Sequence, residues 1–390
     1  MAYALSFPRL LRLGYGALEQ LPEVLAALGV RRPLLVSDPA MDRLGHVARV
    51  LGVLKDAGLD AQVHTDTEPE PADGSILRGV AVLAASSADG VVALGGGSVI
   101  DSAKAMAVLA AGGGGIRAYA VPQEVTLSRV PIIALPTTAG TGSEATRFTV
   151  ITEAASQEKL LCRGAAFLPD AAVVDPSFTL SAPPRLTADT GLDALTHALE
   201  AYVSKLANPV SDSFARAAMA RIAAYLERAY EDGSDREARE AMMLGAFEAG
   251  LAFSNASVAL VHGMSRPVGA LFHVPHGLSN AMLLPTVTAF SREAALQRYG
   301  EAAVLMGWAD AGSTPEAQSQ ALIEGLAALN QRLAVPSPAA FGIDRDAWFA
   351  ALPTMAQQAQ ASGSPANNPR VPTLNEMEGL YAALWGNEDT

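Results

Sequence analysis

Short aliphatic runs and helical spacings alternate through the first half of this chain and then stop alternating, and that change of rhythm confines the fold more than any single residue. PLLVS (33–37), AQVHT (61–65), GVVAL (90–94) and VPIIAL (130–135) have the length and the β-branched or aliphatic content of buried strands. Between them apolar residues recur at helical intervals, as at Val47, Val50, Leu51 and Leu54, or at Ile76, Val80, Val82 and Leu83. Strands alternating with crossover helices predict an α/β domain built on a parallel sheet. After VVDPSFTLSAPPRLT (173–187) no strand pattern remains, and stretches such as SDSFARAAMARIAAYLERAY (211–230) predict helices through Leu333. The boundary is expected at Pro183 and Pro184, giving an α/β domain over 1–182 and an all-α domain over 183–390. A loop, ASGSPANNPRVP (361–372), precedes a last helix opened by Thr373 with Glu376 three residues on, the spacing of a capping box. Gly112 to Gly115 is expected as a flexible loop after a helix.

Composition excludes whole classes of partner. A net charge of −13 works against phosphate backbones and anionic membrane surfaces, both of which need clustered Lys and Arg. The single cysteine, Cys162, forms no internal disulfide and fits a reducing compartment, where it acts as a small core hydrophobe. The N-terminal stretch MAYALSFPRLLRLGYG lacks the pattern of an export signal, and no apolar run approaches the ~18 residues of a membrane span. A cytoplasmic protein is expected.

The run VVALGGGSVIDSAKAMAVLAA (91–111) is an apolar strand, a turn of Gly95, Gly96, Gly97 and Ser98, and a helix. Glycines let the backbone approach a pyrophosphate closely, and the helix N-terminus adds partial positive charge. The alternative is a tight strand-to-helix turn without a ligand. The order differs from the usual dinucleotide fingerprint, because the acid, Asp38 at the end of PLLVSD, precedes the glycines. Asp38 suits ribose hydroxyls or, alternatively, a turn or helix cap. A third piece, ALPTTAGTGSEAT (134–146), runs a strand into Thr137, Thr138 and Thr141, hydroxyls that suit a nucleotide or their own backbone. Three such pieces at successive strand ends point to a dinucleotide.

Four of the six histidines fall between residues 197 and 276. In TADTGLDALTHALEAY (187–202), Asp193 and His197 are four apart, so a helix places both on one face. Apolar neighbours make a buried, unpartnered Asp costly there. His262 ends an apolar run, and His276 stands between Pro275 and Gly277. One carboxylate and three imidazoles suit Fe(II), Zn or Mn with room left for a substrate oxygen. His273 is a spare candidate, otherwise a polar residue on the cleft wall.

GGGSVIDSAK, PTTAGTGSE, GLDALTHALEAY, VHGMSRPVGALFHVPHG and SGSPANNPRVPT together resemble the iron-containing (group III) alcohol dehydrogenases over nearly the whole chain. The resemblance implies an N-terminal dinucleotide-binding domain, a helical metal-binding and substrate domain, and an active site in the cleft between them. It implies Asp193, His197, His262 and His276 as ligands of one divalent ion, Fe(II) foremost with Zn, Mn or Ni as alternatives. For NAD it implies Asp38 on the ribose, Gly97 and Ser98 as the pyrophosphate cradle, and Gly96, Asp101, Thr137, Thr138, Thr141 and Lys159 as further contacts. Pro69, Glu70, Pro71 stand where the family has Pro-Asn-Pro near the adenine, which extends the set to Glu70. Many members have a histidine four residues after the third ligand; here it is Arg266, whose fixed positive charge would favour anionic substrates or else pair internally. The implied activity is hydride transfer between a primary alcohol or small diol and NAD, in a homodimer or larger homo-oligomer. The alternatives are a related maleylacetate or polyol reductase, or a catalytically silent dinucleotide-binding protein.

Overall fold

A computed structural model describes residues 2–156 and 158–385, and the chain divides into two compact units, Ala2–Ala182 and the residues from Pro183 onward. In the first unit β1 (Leu10–Leu13) leads through α1 (Leu21–Ala27) to β2 (Pro33–Val36), α2 (Pro39–Arg43), α3 (His46–Asp56) and β3 (Gln62–His64). Then come α4 (Asp73–Ala85), β4 (Gly90–Gly95), α5 (Gly97–Gly112), β5 (Ile132–Pro136), β6 (Phe148–Glu153), β7 (Glu158–Arg163) and β8 (Ala171–Val174). Six strands form one parallel sheet in the order β1-β8-β5-β4-β2-β3. β6 and β7 pair antiparallel as a separate ribbon.

Side chains alternate between the faces of a strand, and helices cover both faces of the central sheet. Leu34, Val36, Val91, Ala93 and Ala134 pack with Ile76 of α4 and Met106 of α5. Leu35, Val92, Leu94, Ile133 and Leu135 pack with Leu21 and Leu25 of α1 and Val50 and Leu54 of α3. Double burial is why β2, β4 and β5 stand out as unbroken apolar runs. The expected strands are present, but β1, β6, β7 and β8 come in addition. β1 is an edge strand with exposure on alternate residues, and β6 and β7 carry charged residues that mask their strand character. Cys162 is fully buried in the same core as Ile151 and Phe167, and burial raises its thiol to about 12.

From Pro183 onward every regular element among the described residues is helical. The succession is α6 (Pro184–Val203), α7 (Pro209–Glu231), α8 (Arg236–Ala256), α9 (Leu260–Phe272), α10 (His276–Ser291), α11 (Leu296–Leu305), α12 (Pro315–Arg332), α13 (Pro338–Phe341), α14 (Arg345–Ala361) and α15 (Leu374–Ala383). Pro184 opens α6 at a position where its missing N–H costs no helical hydrogen bond. From Thr187 to Val203 only Thr190 is not fully buried, so α6 is the core helix of this unit. The capping box of Thr373 and Glu376 opens α15 as expected. The segment before it is more ordered than a plain loop, with a short 3-10 turn at Ser364–Asn367. No single helix among the described residues is long and apolar enough to cross a membrane.

Candidate functional site

Asp193 and His197 both lie buried on α6. Asp193 Oδ1 stands 3.5 Å from His262 Nε2, 3.7 Å from His276 Nε2 and 3.9 Å from His197 Nε2. One donor atom each from Asp193, His262 and His276 lies within 4.8 Å of the other two. Three helices, α6, α9 and α10, thus bring three imidazole nitrogens around one oxygen of Asp193. The His197 ring is stacked between Phe253 at 4.2 Å and His262 at 4.4 Å, which fixes its plane. His276 is the first residue of α10, and its side chain is 49 % exposed against 4 % for Asp193 and His262. The donor set is therefore open on the His276 side. Gly277 makes that approach of α10 to α6 feasible, since a Cβ there would sit 2.2 Å from Asp189 O and 3.3 Å from Asp193 Cβ.

Burial by itself would raise Asp193, but His197, His276 and His262 hold its carboxyl far below the usual carboxylate range. Burial would lower His262, yet hydrogen bonds to Asp193 and Glu200 raise it to about 9. A site that draws a proton so strongly onto an imidazole draws a dication in the same way.

Two residues of the site escaped the sequence reading. Glu200, one turn beyond His197 on α6, accepts hydrogen bonds from His262 Nδ1 at 2.7 Å, Ala259 N at 2.9 Å and Val261 N at 2.5 Å. It ties down the start of α9 and leaves His262 Nε2 facing Asp193, the role of a carboxylate behind a metal-binding imidazole. Its seven-residue spacing from Asp193 was the available signal. Asn280, one turn beyond His276, donates through Nδ2 to Asp193 Oδ1 at 2.7 Å, with His262 Nε2 at 3.1 Å and His276 Nε2 at 3.3 Å. Its buried Oδ1 has no hydrogen-bond partner among the described residues, as expected of a group whose remaining partner is a bound species. The Glu200 anchor suits an imidazole that holds a divalent ion; the donors grouped closely enough to share one are those of Asp193, His262 and His276, with His197 beside them. Glu200→Gln is expected to weaken divalent-ion affinity about 10- to 100-fold, read by competition with a chromophoric chelator. Unchanged affinity would show that His262 needs no such anchor.

The tail motif braces the same helix. Pro365 packs against Gly263, beside His262. Asn367 Nδ2 donates to Ser257 Oγ at 3.0 Å and Val258 O at 3.1 Å, and Tyr381 OH donates to Met264 O at 2.7 Å. Arg266 lies one turn beyond His262 on α9 and is half-buried. His273 ends α9 in the left-handed region at φ 57°, exposed; its ring makes no hydrogen bond among the described residues, and it is not one of the clustered donors.

In the unit Ala2–Ala182 the strand order reverses between β2 and β4, since β3 lies on one side of β2 and β4 on the other. Such a reversal opens a crevice at the carboxyl ends of the strands, the usual place for a dinucleotide. Asp38 stands at the end of β2 and also caps α2, its Oδ1 accepting from Ala40 N at 2.7 Å and Met41 N at 2.9 Å. Gly96 and Gly97 follow β4 and open α5. A Cβ on Gly97 would meet Thr141 Cγ2 at 2.8 Å, and one on Gly96 would meet the Thr138 side chain at 3.4 Å. The glycine turn and the threonine loop are therefore one surface. Thr137 Oγ1, buried behind it, has no hydrogen-bond partner among the described residues. Ser98 Oγ donates to Pro69 O, and Lys159 Nζ pairs with Glu70 at 3.0 Å.

Asp101, expected as a cofactor contact, has its carboxylate turned into the protein. Oδ1 accepts from Ser143 Oγ at 2.6 Å and Oδ2 from Val150 N at 2.9 Å, so both oxygens are engaged inside the protein. Asp101 braces the loop after β5 from beneath. Lys104, which sequence reasoning passed over, is fully buried and donates to Ser143 Oγ at 2.8 Å, Thr146 Oγ1 at 3.1 Å and Phe148 O at 2.7 Å. Burial lowers its ammonium to about 8, with Asp101 and Glu144 opposing. A lysine inside the otherwise apolar stretch of α5 was the signal. Lys104→Met is expected to cost about 3–5 kcal/mol in urea unfolding, because it strands buried acceptors and their charges. A loss below about 1 kcal/mol would remove Lys104 as the pin of this loop.

The profile of iron-containing alcohol dehydrogenases matches residues 8–176, and that of the Fe-containing alcohol dehydrogenase family, C-terminal, matches residues 187–385. The NAD-dependent methanol dehydrogenase of Bacillus methanolicus is 37 % identical over 366 residues, covering 94 % of this chain and 95 % of that protein. The NADPH-dependent butanol dehydrogenase of Clostridium saccharobutylicum is 34 % identical over 386 residues, 97 % of each chain. A crystal structure of 1,3-propanediol oxidoreductase superposes with a TM-score of 0.95 at 33 % identity, covering 98 % of this chain and 100 % of that one. Similarity of this extent in sequence and structure, around a donor set of one aspartate and three histidines, makes the chain a member of the iron-containing alcohol dehydrogenase family.

Proposed function

We propose that this chain interconverts a primary alcohol or small diol and its aldehyde, with NAD as hydride carrier and one divalent ion, Fe(II) foremost, held by Asp193, His197, His262 and His276. The observation that carries the proposal is the convergence of the three imidazoles within 3.9 Å of one Asp193 oxygen, open on the His276 side. A bound divalent ion supplies Lewis acidity there, making an alcohol easier to deprotonate and an aldehyde easier to reduce. The protein's own part is placement. Glu200 fixes the tautomer and plane of His262, Phe253 holds His197, and Asn280 hydrogen-bonds Asp193. Gly96, Gly97 and Ser98 at the start of α5 offer backbone N–H groups to a pyrophosphate, and Asp38 an acceptor to the ribose. A full donor set disfavours a silent dinucleotide-binding protein, and three imidazoles in it disfavour the maleylacetate-type reductase. The single, buried Cys162 supports a cytoplasmic setting, and the family resemblance supports a homo-oligomer.

The decisive experiment is an NAD-linked screen of straight-chain alcohols, diols and aldehydes after anaerobic reconstitution with Fe(II), Zn, Mn or Ni. Turnover that depends on the added ion is expected. Absence of turnover with every ion, in both directions and with either NAD or NADP, would overturn the proposal.

A further inference from the structure

Arg266 follows His262 by four residues on α9, on the same helix face and about 6 Å further along the axis. Side chains of a helix lean toward its N-terminus, so a long one at 266 reaches back over the turn that carries His262. Among the described residues Arg266 has no hydrogen bond, ion pair or ring contact. Every other buried or half-buried arginine among the described residues has one: Arg12 with Leu11 O, Arg129 with Asp170, Arg147 with Glu124, Arg185 with Asp189, Arg221 with Glu248, Arg239 with Thr187, Arg292 with Glu293 and Arg298 with Asp212. The acid whose charge reaches Arg266 is Glu200, and both Glu200 oxygens are already taken by Ala259, Val261 and His262.

Charge counting sharpens the anomaly. With a dication in the donor set, Asp193 and Glu200 balance the ion and leave the guanidinium of Arg266 uncompensated. A guanidinium stays protonated at ordinary pH, unlike the histidine that many members of the family carry at this position. A half-buried, unpaired positive charge is unfavourable unless something supplies its counter-charge. None of the described residues does so, and no Arg266 nitrogen is among the buried unpartnered atoms, so the guanidinium is open to solvent and free to meet an anionic ligand. A planar guanidinium also matches carboxylate-like anions through paired N–H donors.

We propose that Arg266 binds an anionic group on the substrate, so that the preferred substrates are short aldehydes and alcohols bearing a carboxylate, sulfonate or phosphonate a few carbons from the reacting carbon. This rests on the alcohol dehydrogenase reading above and narrows its substrate class.

The test compares kcat/KM of the reconstituted enzyme with NADH on butanal, 4-oxobutanoate, 3-oxopropane-1-sulfonate and 3-oxopropylphosphonate, which place each anion type two methylenes from the aldehyde carbon. At least one anionic aldehyde is expected to exceed butanal by roughly 30-fold or more. In Arg266→Gln the ratio of anionic to neutral efficiency should fall about 100-fold, the scale for losing one partner of a desolvated charge pair, with much of the change in KM. Arg266→Lys should retain part of the preference. Calorimetry with unreactive butyrate and propane-1-sulfonate gives a readout that survives an inactive variant: binding to the wild type and its loss in Arg266→Gln are expected. If the wild type reduces butanal and shows no preference for any anion, or if Arg266→Gln lowers all four substrates by one factor and leaves anion binding intact, the role of Arg266 is structural. If the wild type reduces none of them with any ion, the alcohol dehydrogenase reading itself fails.

Discussion

His276→Ala is expected to abolish most turnover and to leave NADH binding largely intact. His276 is one of the three imidazoles around Asp193 and the exposed one, at the head of α10. Removing its ring takes away one of the four proposed ligands and opens the side on which the site is accessible. With a 49 % exposed side chain it contributes little to packing, so unfolding does not account for the loss. Lewis-acid activation is worth several kcal/mol, and at about 1.4 kcal/mol per tenfold a loss of roughly 1,000-fold in kcat/KM is expected. NADH binding, followed by its fluorescence, should persist, because the proposed cofactor contacts belong to the unit Ala2–Ala182. Exhaustive chelation of the wild type should reproduce the loss, and a divalent ion should reverse it. Affinity by itself will not identify the native ion, since it follows a general series across metals; inactivation in air would favour Fe(II). Protein shown by elemental analysis to be metal-free, yet turning over its best alcohol at full rate, would make the cluster structural.

That Asp193, His197, His262 and His276 lie together was legible because each sits in a local pattern with few uses: a helical Asp-His pair in apolar surroundings, and two histidines flanked by glycine or proline. Their supports were not. Glu200 and Asn280 are single polar residues on mostly buried helices, and from sequence such a residue can equally be a surface group or a satisfied core group. Only packing decides, here by placing Glu200 against three N–H donors and Asn280 beside three ligand atoms. The fold divides the same way. β2, β4 and β5 are covered on both faces and leave an apolar run, whereas β8 is four residues of Ala and Val and β1 carries an arginine. Asp101 shows the limit of a motif, because its neighbourhood in GGGSVIDSAK points to a phosphate while its carboxylate turns inward to Ser143 and Val150. At Asp38 the two sequence alternatives need not compete. Its Oδ1 caps α2, and Oδ2 makes no hydrogen bond among the described residues.

That division of labour within one carboxylate leads to the second large effect, on cofactor choice. The wild type should prefer NAD over NADP, because a 2′-phosphate at the ribose edge would lie within a few ångström of the Asp38 carboxylate. Two unit charges 4 Å apart at an effective dielectric of 20 repel by about 4 kcal/mol, an upper bound here. Asp38 is half-buried, and solvent screening brings the expected penalty to about 1–3 kcal/mol, a preference of roughly 5- to 150-fold. Asp38→Gly should narrow that gap from both sides, raising efficiency with NADP as the repulsion goes and lowering it with NAD as the ribose acceptor goes. Glycine is the informative replacement because it costs a helix cap only a few tenths of a kcal/mol, whereas alanine costs about 1 kcal/mol. A change in cofactor preference is then not confused with a loosened α2, and urea unfolding of the variant should stay within about 0.5 kcal/mol of the wild type. Equal or better kcat/KM with NADP in the wild type would mean that Asp38 serves as a helix cap and does not meet the ribose.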